Sequence, residues 1–155
     1  MPRPGALNDD ALLAELRALY RDVGALYEGW SCPSSTECCR FGVTGRQPYV
    51  TSIELAAIRR AIARRGAPLA PAKRALPITE DGERERICPL LDRRGRCAIY
   101  EDRPLGCRTF YCDRAAQGPR GTRAELQEIV RKLRDLAARH ALGGEHARPL
   151  THALD

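Results

Sequence analysis

The chain has 155 residues, room for one domain around one hydrophobic core, with a hydrophobic fraction of 43% but only 5% aromatics. Its formal charge is +6, from 26 Lys and Arg (only Lys73 and Lys132 are Lys) against 20 acids. The arginines are scattered among the acids, which argues against the clustered footprint of a nucleic-acid-binding surface. No apolar run approaches the ~18 residues of a membrane span, and the opening MPRPGALNDDALL lacks the apolar run of a secretory signal. The expectation is a cytoplasmic chain, off the membrane, whose thiols stay reduced.

Residues 8–27 read as a helix that Asn8 or Asp9 can cap. Leu12, Leu16, Leu19, Val23 and Leu26 recur at alternating steps of four and three and so share one face, with Tyr20 and Tyr27 at its edges. The Gly-, Pro- and Ser-containing stretch from Gly29 to Cys39 reads as a loop holding Cys32, Cys38 and Cys39. Three thiols in a polar loop are hard to explain as packing, and a loop is the usual way to aim several sulfurs at one centre. In extended backbone Cys38 and Cys39 would point to opposite sides, so both reach one metal only if the chain turns there.

Residues 47–50 form a candidate extended piece. Thr51-Ser52-Ile53-Glu54 is a capping-box pattern opening a helix to about Arg65, which Gly66 stops. Residues 67–72 resemble a linker, and residues 76–79 an edge segment limited by Pro77. Ile87 to Tyr100 fits a hairpin turning through Asp92–Gly95, which would set Cys88 and Cys97 on paired strands. Pro104 can open a short helix. Cys107 and Cys112 stand about 140° apart on an ideal helix, so they share a metal only if the helix ends between them. Thr122-Arg123-Ala124-Glu125 opens a further helix over 122–141, ended by Gly143-Gly144. His140, His146 and His152 lie at or beyond its end and are poor ligand candidates. Residues 145–155 read as a flexible tail beyond a single domain spanning 1–144.

Seven cysteines leave three fates: disulfides, a metal site, or burial as small hydrophobes. The odd count and the expected reducing compartment weigh against disulfides. A metal site would also supply folding free energy to a core short of aromatics.

The order Cys32…Cys38-Cys39, a Thr-x-x-Glu helix, then Cys88-Pro89-Leu90-Leu91-Asp92…Gly95-Arg96-Cys97-Ala98-Ile99-Tyr100…Arg103-Pro104-x-x-Cys107-Arg108-x-Phe110-x-Cys112 resembles the YkgJ-type cysteine cluster family, also written CxxCxxCC. These are small bacterial proteins described as zinc- or iron-chelating domains, and a related cysteine pattern occurs in flagellin lysine methylases. The likeness covers residues 30–113. One departure stands out: where the family loop often reads Cys-x-x-Cys-x-x-Cys-Cys, the second cysteine is here Ser35. The resemblance implies cytoplasmic metal or iron–sulfur binding.

The resulting expectation is a mainly α fold with a small β-hairpin, a single small domain of about three helices (8–27, 51–65 and 122–141) around a cysteine-rich metal site. The candidate ligands are Cys107 and Cys112, then Cys38, Cys39 and Cys32, then Cys88 and Cys97, with Arg103 and Arg108 offsetting thiolate charge. Irregular spacing and a double cysteine favour an iron–sulfur cluster, [4Fe–4S], over a zinc or iron ion. Three functional classes follow: a metal-binding module, structural or electron-transferring; a metal-dependent redox or methyl-transfer enzyme; or a thiol-based redox or metal sensor.

Overall fold

A computed structural model of the chain describes residues 6–28, 37–66, 87–109 and 123–155. In order, they form helix α1 (Ala6–Leu26), a single 3-10 turn (Glu37–Cys39), the short helix α2 (Phe41–Thr44), strand β1 (Tyr49–Val50) and helix α3 (Ser52–Arg65). A second 3-10 turn (Tyr100–Asp102) leads to the one-turn helix α4 (Leu105–Arg108). Then come α5 (Arg123–His140), strand β2 (Arg148–Pro149) and α6 (Leu150–Leu154). The described residues are mainly helical with one small antiparallel sheet, and the three long helices among them stand where the hydrophobic periodicity puts them.

The Leu12–Leu16–Leu19–Val23 stripe of α1 buries against Ile129, Leu133, Leu136 and Ala137 of α5, with Ile53 of α3 closing the cluster. Burying a side chain of this kind contributes roughly 1.5–3 kcal/mol, so this three-helix seam is the main stabilising mass. Arg139 of α5 pairs with Glu15 of α1 at the exposed edge, where an ion pair adds little. The start of α3 follows the capping-box expectation: the Thr51 amide donates to Glu54 Oε2 at 2.9 Å, and Gly66 ends the helix with φ 69°.

A second apolar cluster gathers Phe41, Val50, Leu55, Ile58, Leu90, Ile99 and Leu150, with Cys88 buried among them. Here two expectations are corrected. The hairpin at 87–100 is a turn with a single bridge, Leu91↔Cys97, supported by Asp92 N–H to Arg96 O (2.7 Å) and Ala98 N–H to Leu90 O (2.8 Å), with Gly95 at φ 73°. Cys88 and Cys97 therefore do not lie on paired strands. Ile87 pairs instead with Arg40, and the Cys88 amide donates to Cys39 O at 2.7 Å. The sheet is built elsewhere, by β1 and β2, with Tyr49 opposite Pro149 and Val50 opposite Arg148.

The second correction concerns residues 145–155, which are not a flexible tail. They supply β2 and α6, and Leu150 is fully buried. The closure rests on Gly144: its carbonyl accepts the Ser52 amide at 3.1 Å, and a Cβ there would sit 2.3 Å from both Ala137 O and Ser52 Oγ. His140 Nδ1 meets Ser52 Oγ at 2.9 Å, which gives that histidine a structural partner. The linker at 67–72, the segment at 76–79 and the Thr122 cap lie outside the described residues.

Candidate metal centre

Five cysteines fall among the described residues, and all are free thiols: Cys38, Cys39, Cys88, Cys97 and Cys107. All five line one cavity of about 210 Å³, together with Leu90, Ile99, Pro104, Leu150, Tyr100 and the two arginines Arg96 and Arg103. Cys32 and Cys112 lie outside the described residues.

The five thiols arrive by four local devices. The 3-10 turn at Glu37–Cys39 is the bend that two neighbouring cysteines need to face one side, and it brings Cys38 Sγ and Cys39 Sγ to 3.9 Å. Cys88 is drawn in by its backbone bond to Cys39. Cys97 is set by the Asp92–Gly95 turn, whose Asp92 Oδ1 accepts the amides of Arg94 (2.8 Å) and Arg96 (2.9 Å). Cys107 rides on α4, whose backbone is extended at Pro104 and helical from Leu105.

The electrostatics are those of crowded, half-buried sulfurs. Contact with Cys39, then burial, pushes the Cys38 thiol far above its ordinary range, despite Arg103 nearby. For Cys39 the bond with Cys38 pulls down, but contact with Cys88 and burial outweigh it and leave the thiol raised to about 12. Burial raises Cys107 to about 12, with Cys39, Cys38 and Cys97 adding to it. Cys97 is raised as well, chiefly by burial. Arg103 opposes the rise at Cys38, Cys97 and Cys107, as a cation close to these three thiols. Its guanidinium stacks 3.7 Å from the Tyr100 ring centre, and its Nε donates to Tyr100 O at 2.9 Å.

Arg108 points elsewhere. Its guanidinium lies 4.1 Å from the Tyr20 ring centre, and it donates to the carbonyls of Arg103 (2.7 Å) and Glu101. Tyr20 in turn donates to Glu54 Oε1 at 3.3 Å, and the Leu105 amide donates to the same oxygen at 2.8 Å. Burial pushes the Glu54 carboxyl up, although the Thr51 and Leu105 amides and the Thr51 and Tyr20 hydroxyls all pull it down. Burial and the Glu54 carboxylate hold the Tyr20 phenol well above its ordinary value, so it stays a donor.

The sequence pointed to the cysteines and Arg103, but not to Leu150 or to the long reach of Glu54. The Thr51-x-x-Glu54 pattern marks Glu54 as a local cap only. No local signal announces its bond to a residue 51 positions on.

Among the described residues, no three Cys, His, Asp or Glu side chains converge closely enough to make an ion shell by themselves. The donor set nonetheless suits a thiophilic metal, since soft thiolates select zinc, iron and iron–sulfur clusters. A small helical domain that gathers free thiols from separate segments around one cavity is a cysteine-cluster, metal-chelating domain. The chain belongs to the CxxCxxCC family, described as a "putative zinc- or iron-chelating domain", whose model matches residues 31–129. No curated protein and no solved structure is similar enough to count as a match. None of the described helices is long and apolar enough to cross a membrane.

Proposed function

We propose that the protein holds a [4Fe–4S] cluster in the cavity bordered by Cys38, Cys39, Cys88, Cys97 and Cys107, with Cys32 and Cys112 as further candidate ligands, and that it serves in the cytoplasm as an electron-carrying or structural metal module. The observation that carries this reading is the spread of the thiols. Five sulfurs from four backbone segments border about 210 Å³ of space, far more than the 10–15 Å³ that seats a single water-sized group. A cavity of that size has room for a cluster, which takes its thiolates from separate segments. When bound, the cluster supplies one-electron chemistry at a potential set by its surroundings. Around it, Arg103 offsets thiolate charge, while Leu90, Ile99 and Leu150 keep the floor apolar. Arg108 acts one step further out, holding the 101–103 backbone from which Arg103 projects.

A second reading, a single zinc or iron ion, is favoured by one distance. Two thiolates on a tetrahedral zinc, each about 2.3 Å from the metal, lie about 3.8 Å apart, and Cys38 and Cys39 stand at 3.9 Å. Anaerobic purification followed by absorption spectroscopy and metal analysis separates the two. A brown protein with about four irons and four sulfides per chain supports the cluster. A colourless protein with one zinc overturns it in favour of the ion. An enzyme using the metal for redox or methyl transfer, or a thiol-based sensor, would show turnover or reversible metal loss on mild oxidation.

A further inference from the structure

We infer that Glu54 is a positioning residue of the metal centre: its buried carboxylate fixes the Cys107 turn to the helical scaffold. The inference rests on the metal-binding reading for its purpose, but its geometry stands apart from it.

Helix α4 has a proline before its first residue, and Pro104 has no side-chain oxygen with which to cap the free amides of that turn. Glu54 of α3 fills that role from across the fold. Its Oε1 accepts the Leu105 amide at 2.8 Å, while its Oε2 accepts the Thr51 amide and hydroxyl, both at 2.9 Å. One carboxylate thus caps two helices at once, and at 1% exposure water does not substitute for it. On the far side of Cys107, Arg108 stacks on Tyr20, whose hydroxyl donates to the same Glu54 Oε1. Leu105 and Arg108, which flank Cys107, are therefore tied to one cluster made by α1 and α3. The Cys107 amide bonds Pro104 O at 3.0 Å, so the turn moves as a unit with its anchor.

A capping box needs one oxygen of a glutamate or glutamine. The second oxygen, turned onto Leu105, is what requires a carboxylate here. An amide presents one acceptor oxygen and one NH₂, so Glu54→Gln leaves either the Thr51 or the Leu105 amide facing a donor. Outer groups that orient ligands in this way typically contribute 10–100-fold in metal affinity.

The experiment compares wild type, Glu54→Gln and Leu133→Ala, the last a core variant between α1 and α5 that lowers stability away from the cysteines. Zinc and Co(II) affinities are measured on metal-free protein by chelator competition, and the Co(II) absorption spectrum is recorded. Separately, iodoacetamide labelling of Cys107 relative to Cys97 is followed in metal-free protein by peptide mass spectrometry. The expected result is a 10–100-fold loss of affinity, an altered Co(II) spectrum and faster relative labelling of Cys107 in Glu54→Gln, with Leu133→Ala close to wild type in all three. Unchanged Cys107 labelling in Glu54→Gln, or an equal change in Leu133→Ala, overturns the inference. If Glu54→Gln does not fold, Glu54→Asp keeps the charge but is one methylene too short to span both helices, and the same outcomes decide. Should wild type bind no metal, the metal reading fails while the labelling ratio still decides whether Glu54 positions Cys107.

Discussion

The Cys39 carbonyl accepts the amide hydrogen of Cys88 at 2.7 Å. This one backbone bond joins the two halves of the cysteine pattern, the double-cysteine turn and the Cys88–Cys107 segment, across nearly fifty residues. It sets which thiols can share a centre, because Cys39 and Cys88 are also in side-chain contact. We expect Cys88→Ser and Cys107→Ser each to lower the metal bound per purified chain to well under half, since a hydroxyl is a poor, hard substitute for a thiolate. Metal analysis of the two variants is the check, and full occupancy in both would remove them from the ligand set.

The raised thiols give the metal-free protein a defined pH response. Folding holds Cys107, through burial, and Cys39, through contact with Cys88 and burial, at about 12, whereas an unfolded chain has thiols at about 8.5. The fold therefore favours the neutral form. Its contribution is complete below about 8.5 and is lost as pH rises toward about 12. Urea midpoints of metal-free protein should fall between about pH 8 and about pH 10.5, while a flat profile would show that these thiols ionise as freely folded as unfolded. Metal affinity should run the other way and rise with pH, because binding requires thiolates and releases protons.

Gly106 precedes Cys107 where α4 meets the β1 approach. A Cβ at Gly106 would lie 3.0 Å from Pro48 Cβ and 3.3 Å from Pro48 Cα. Neither is the free end of a flexible side chain, so Pro48 or the α4 turn has to give by a few tenths of an ångström. Gly106→Ala should cost about 1–3 kcal/mol by overpacking, partly offset by better helix propensity of about 1 kcal/mol. It should also weaken metal binding, to the extent that the α4 turn is what gives, because that turn carries Cys107. Thermal melts and metal titration of this variant test both parts.

The C-terminal segment should behave as part of the core. Leu150, fully buried and bordering the thiol cavity, should cost about 2–5 kcal/mol when cut to alanine. Gly144→Ala should destabilise as strongly, since its new Cβ would collide with Ala137 O and Ser52 Oγ at 2.3 Å. Truncation after residue 144 should reduce metal retention as well as stability. Melting curves unchanged by truncation would return this segment to the status of a tail.

The sequence by itself determined the three long helices, because a period near 3.6 in Leu, Ile and Val is a local property that burial then exploits. Gly95 and the Thr51–Glu54 cap were equally legible, since a positive φ and a free amide are met within a few residues. The cysteine inventory, and its family, could also be read directly, as thiols in polar loops have few structural uses. Only the tertiary structure decided which partners meet. Cys88 pairs with the Cys39 turn and not with Cys97, because Ile87 bridges Arg40. Residues 145–155 look too short and polar to matter, yet β2 finds β1 about a hundred positions upstream and Leu150 is buried beside the thiols. Glu54 reads as a local cap until α4 arrives with a proline that cannot cap itself. Each of these depends on a hydrogen bond or an apolar contact between distant segments, and local periodicity carries no record of which distant segment will supply it.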